Sequence, residues 1–216
     1  MQQLLQPKGR HIIVDGRKLK NQIYFKCKKT AHYKSILDKQ GRKTSNRLQK
    51  INQKFKNIQN NFLNQTVKFI IEKCKKHNVG TIVLGYNKNF QFKSNIGKKQ
   101  NQIFSHIAFK QFKQKLKTQC QIHEINLIIQ EESYTSLSSF LDNDILPEYQ
   151  EKEEDDAKYE FKGNRIKRGL YKTQNGKHIN ADVKRCCQYL YEKCKHEFNF
   201  ERLCKWVQTT PIKIKL

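Results

Sequence analysis

The sequence predicts an α/β domain, on the strength of three observations. A lysine-rich stretch with helical apolar spacing ends at a glycine. A short continuous apolar run follows it. A second helix-then-strand pair comes next, so helices and strands alternate along the chain, as in α/β architectures.

His11-Ile12-Ile13-Val14 reads as a strand, and Asp15-Gly16 as the turn that ends it. Ile23–Cys27 is compatible with a strand pairing back or with the start of a helix. Residues 44–77 read as one long helix, with Thr44 or Ser45 as its cap. Leu48, Ile51, Phe55, Ile58 and Phe62 follow 3-4-3-4 spacing, and Phe69 lies one heptad beyond. This is a core-packing stripe on a basic helix. Gln65 interrupts it, which argues against a coiled coil. Thr81–Gly85 follows Asn78-Val79-Gly80, a helix stop, and reads as a buried parallel strand. Residues 86–105 are polar and suggest no element. A helix is expected over about 107–121 with Phe109, Phe112, Leu116 and Cys120 on one face, then a strand over 126–130. A last helix is expected over about 181–197, with Val183, Cys187, Leu190 and Cys194 in register. The expected organisation is a core over 1–140, an insertion over 141–180, and a final helix and tail over 181–216.

Charge narrows the function. The chain of 216 residues carries 44 Lys+Arg against 19 Asp+Glu, a net of +25. Residues 1–130 hold 28 basic and four acidic residues, a net of +24, and residues 131–160 hold 11 acids and two lysines, a net of −9. A basic body of this kind gains affinity for polyanions through counterion release. Lys50, Lys54, Lys98, Lys99, Arg165, Lys167 and Arg168 are the candidate phosphate contacts, largely indifferent to base sequence. No apolar run approaches the ~18 residues that would cross a bilayer, and the first ten residues carry no apolar signal segment. Seven cysteines, an odd number without a CxxC pair, fit reduced thiols in an intracellular protein, in the cytoplasm or at the nucleoid or nucleus. Cys74, Cys120, Cys187 and Cys194 fall where helices place apolar residues and read as buried thiols.

Two acidic positions could do chemistry. Glu131-Glu132 directly follows the strand ending at Gln130, and Asp182 opens the last helix. Carboxylates beyond strand ends can hold magnesium, a hard ion that prefers oxygen. Paired magnesium ions cut phosphodiesters in RNase H-like (RuvC-type) nucleases. The plain alternative is that Asp182 complements a helix dipole and that the glutamates open the acidic insert.

Five blocks give the sequence a resemblance: Gly80–Lys88, Glu131–Ser136 with Ser139–Asp142, Arg165–Tyr171, Asn180–Val183, and Val14–Lys20. In order and spacing they resemble the TnpB/OrfB transposon-encoded family of RNA-guided DNA endonucleases, relatives of type V CRISPR effectors. The resemblance implies a RuvC-like fold, DNA and guide RNA as partners, and three acids around magnesium. Gly85 stands where most members have the middle glutamate. One branch has that residue in the Glu-Ser-Tyr-Thr-Ser block, which makes Glu132 the matching ligand, Glu131 the second choice, and Asp182 the third acid of the triad. The block with the first catalytic aspartate would lie before residue 10, and Asp15 belongs to the segment after it. Ser138 stands where the family's zinc ribbon has a cysteine, and 137–180 contains none, so no zinc is expected. Lys184 and Arg185 would compete with a metal at Asp182. The expectation is an incomplete RuvC-like domain that binds nucleic acid and cleaves weakly or not at all. The alternatives are an active magnesium-dependent nuclease and a non-enzymatic RNA-binding protein.

Overall fold

The computed structural model describes residues 11–86, 97–130, 137–144, 160–167, 169–194, 200–208 and 210–216. The chain divides into two compact units. One is mainly helical (Val14–Gly80, Lys88–Asn126 and Lys213–Leu216). The other carries most of the strands (Met1–Ile13, Thr81–Asn87 and Leu127–Ile212).

The helical unit is built on an αα-hairpin. Asp15-Gly16 ends strand β1 (Ile12–Val14) and opens helix α1 (Arg17–Lys39). The open question at Ile23–Cys27 is thus resolved as helix. Helix α2 (Asn46–Lys76) starts where the sequence suggests, with Ser45 as its cap: the Ser45 hydroxyl accepts the Leu48 N–H at 3.3 Å. The two helices run antiparallel, since Arg47 lies over the Tyr33 ring and Lys26 over the Phe55 ring. Leu19 and Ile23 are buried with Ile103, and Cys27, Phe55, Phe62 and Ile107 pack against them.

The apolar stripe of α2 is only half as expected. Ile51, Phe55, Ile58 and Phe62 are half-buried, but the buried line is Leu48, Gln59, Leu63, Thr66, Val67, Ile71 and Cys74. A straight helix drifts against a strict heptad, and α2 changes partner along its length. Its first half meets α1 and its second half meets α4 (Phe109–Ile122), where Leu116 and Cys120 are buried. The segment expected to be without structure contains helix α3 (Lys98–Ser105), whose Ile103 completes the core. A hydrogen bond from Gln59 Nε2 to the His106 carbonyl (2.6 Å) satisfies the one large polar side chain on the buried line.

In the other unit, β2 (Thr81–Gly85) and β3 (Asn126–Gln130) form at the expected bounds, and they pair with each other. The Asn126 N–H donates to the Gly80 carbonyl and the Tyr86 N–H to the Gln130 carbonyl. The bonds advance together along both strands, which is parallel pairing. β2 is half-buried rather than fully buried. Among the described residues it has one strand neighbour and is covered by α5 (Ala181–Cys194). β1 pairs with β7 (Ile212–Ile214), a strand the sequence reading missed.

The stretch read as an insertion contributes to the core. β4 (Asn164–Lys167), β5 (Leu170–Lys172) and β6 (His178–Asn180) form an antiparallel sheet. Its Tyr171 and Ile179 are buried with Ala181. Helix α6 (Phe200–Val207), also missed, brings Leu203 and Val207 into a cluster with Phe140, Val183 and Cys187. Residues 145–159 lie outside the described residues, and with them most of the acidic stretch.

Candidate nucleic-acid interface

Helix α2 carries eight basic residues and one acid, Glu72, which pairs with Lys68 at 3.8 Å. Lys50 and Lys54, one helical turn apart, are both exposed on one face. Lys99 is exposed in the first turn of α3, and the side chain of Lys98 lies outside the described residues. All of these sit in the helical unit. A cleft of about 620 Å³ runs between α2 and α4 in the same unit, with Lys68, Lys75 and Lys115 around an apolar floor of Val67 and Ile71. Arg165 and Lys167 belong to the other unit, exposed two residues apart on β4, and Arg168 lies outside the described residues. The predicted cations therefore form two groups, one on each unit.

Of the predicted acids, only Asp182 is described. It is exposed in the first turn of α5. Asn180 caps that helix, its Oδ1 accepting the N–H groups of Asp182 (3.0 Å) and Val183 (3.1 Å). Asp182 therefore has no capping duty, and its carboxylate is left to the solvent at a positive helix end. Glu131 and Glu132 lie outside the described residues. Among the described residues no group of three or more His, Cys, Asp or Glu side chains could hold a metal.

The expected competition from Lys184 is corrected. Lys184 points away from solvent, 1% exposed, and its Nζ donates to the Ser138 carbonyl. The ammonium lies 4.2 Å from the centre of the Tyr171 ring, a cation–π contact. Burial holds its pKa down at about 8, with Arg185 adding to the effect and Asp144 and Asp142 opposing it. Tyr171 donates to the Leu137 carbonyl at 3.0 Å, and burial pushes its hydroxyl up to about 12. Asp142 accepts the Gln174 N–H at 3.0 Å. The Phe140 N–H donates to Gln188 Oε1 at 2.7 Å. This buried polar cluster ties residues 137–144 to β5 and α5.

Asp15 is likewise occupied. Both its oxygens accept from the Arg17 guanidinium, at 2.6–3.0 Å, and Lys213 stands 4.0 Å away. The hydrogen bonds from Arg17 hold the carboxyl at about 2. Cys74, Cys120 and Cys187 are buried thiols as expected, and burial pushes all three up. The side chain of Cys194 lies outside the described residues.

The sequence reading missed Tyr24 and Phe25, exposed on α1. The available signal was the helical spacing of Leu19, Ile23, Thr30, Tyr33 and Leu37, which leaves the two rings facing outward.

Residues 4–91 match the OrfB_IS605 family model, described as a probable transposase. The match spans β1, α1, α2 and β2. It covers about two fifths of the chain and stops before β3 and Asp182. No curated protein matches the chain.

Proposed function

We propose that the chain is a nucleic-acid-binding, TnpB-like transposon protein that grips DNA electrostatically and cleaves it weakly or not at all. The observation that carries this reading is the helical unit: a long hairpin with exposed lysines and almost no acids, within the segment similar to a transposase family. The parallel β2–β3 pair with α5 packed on β2 supports an RNase H-like arrangement. In that arrangement Asp182, with Glu132 or Glu131 beyond β3, would be magnesium ligands, and magnesium would supply activation of water. The residues in hand stabilise the strand's phosphates through Lys50, Lys54 and Lys99 in the helical unit and Arg165 and Lys167 in the other. A guide RNA is a further expected partner.

The test is incubation of the full chain with labelled single- and double-stranded DNA, with magnesium or EDTA, beside a Glu132→Gln, Asp182→Asn double variant. Salt-sensitive binding without cutting is the expected outcome. Magnesium-dependent cutting lost in the variant would overturn the weak-cleavage part, and absence of binding at low salt would overturn the whole reading.

A further inference from the structure

The outward face of α1 presents two aromatic rings that its packing does not use. Its inward line runs through Leu19, Ile23, Thr30, Tyr33 and Leu37 and meets α2. Tyr24 and Phe25 stand clear of it, 55% and 57% exposed. Their surroundings are cationic. Phe25, Lys29, His32 and Ile36 fall at i, i+4, i+7 and i+11, one line of exposed side chains about 16 Å long at the helical rise. Asn21, Tyr24 and Lys28 form a second exposed line beside it. Lys29 Nζ lies 5.5 Å from the Phe25 ring centre. No acid occurs between Asp15 and Asp38, and Asp15 is held by Arg17.

Flat π surfaces, flanking ammonium groups and no carboxylate select among polyanions. A duplex offers phosphates but keeps its base faces stacked inside. An acidic peptide offers charge without flat rings. An unpaired strand offers both, and stacking of bases on aromatic side chains tolerates any sequence. We propose that this face of α1 is a stacking platform for single-stranded DNA, with Tyr24 and Phe25 against bases and Lys28 and Lys29 on the adjoining phosphates. The inference rests on the DNA-binding reading above and deepens it by naming the form of the strand and the residues that recognise it.

The experiment is fluorescence anisotropy of the full chain with a labelled 15-nucleotide oligo-dT and with a duplex of matched length, at one salt concentration. Tyr24→Ala/Phe25→Ala is expected to weaken oligo-dT binding about 10- to 100-fold and duplex binding less than about threefold, with an unchanged circular dichroism spectrum. Phe25→Trp keeps the ring, so it is expected to preserve affinity and to show indole quenching by oligo-dT beyond that of the parent protein's Trp206. Equal weakening on both forms, no weakening, or no added quenching would each overturn the proposal while leaving the DNA-binding reading intact. Failure of the parent protein to bind either form would remove both. Tenfold tighter binding of oligo-U than of oligo-dT would overturn the assignment to DNA.

Discussion

At Lys184 a positive charge is held where water scarcely reaches, and its Nζ hydrogen bond runs to the Ser138 carbonyl. Depressing its pKa from 10.5 to about 8 costs the folded state roughly 3 kcal/mol at neutral pH. The sign follows from proton counting: between pH 8 and 10.5 the unfolded chain binds more protons, so this penalty is relieved as pH rises. Urea unfolding at a series of pH values should show the parent protein gaining stability relative to Lys184→Met from pH 8 to 10. A constant difference would contradict the buried-ammonium account. Asp15 works in the opposite direction. Its carboxyl is lowered from 3.8 to about 2, so its contribution is present above pH 4 and is lost as pH falls towards 2. The stability difference between the parent protein and Asp15→Asn should therefore shrink as pH falls from 4 through 2. Gly163 is a residue at which space alone decides. A Cβ there would run into the Tyr171 hydroxyl and Asp142 Oδ2, so Gly163→Ala should destabilise by about 1–3 kcal/mol.

Among the elements, α2 depends on its cap and its changing partners. Ser45→Ala should cost about 1 kcal/mol and Ser45→Gly only a few tenths, read by thermal or urea unfolding. Leu63→Ala should cost about 2–5 kcal/mol, more than a truncation at half-buried Phe69, although Phe69 and not Leu63 lies on the sequence-level stripe. Local spacing made α2, β2, α4 and β3 legible, because apolar residues recur at helical spacing along the first half of α2 and on one face of α4, and run continuously through β2 and β3. It failed at α1, whose inward line includes Lys26 and Thr30, and at α3 and α6, which are eight residues each and too short for a period to show. The sheet β4–β6 was hidden by its composition: β4 is exposed throughout, and the buried residues of β5 and β6 are the isolated Tyr171 and Ile179. Of the candidate site, the exposed lysines and Asp182 were legible from charge and position. The inward turn of Lys184 was not, since its partners Ser138 and Tyr171 lie 46 and 13 residues away in sequence.

For the molecule as a whole, the governing quantity is the field of its charges. Residues 1–130 carry a net of +24, and on the proposed reading their exposed lysines would let DNA displace bound counterions. The measurement that tests this most directly is the affinity of the full chain for a labelled oligonucleotide between 50 and 300 mM salt. The expected result is a log–log slope of about −3 or steeper, equivalent to four or more phosphates at ~0.7 ions each on a single strand, and a shallower slope when Lys50 and Lys54 are replaced by glutamine. A flat salt dependence, or no binding at the lowest salt, would contradict it.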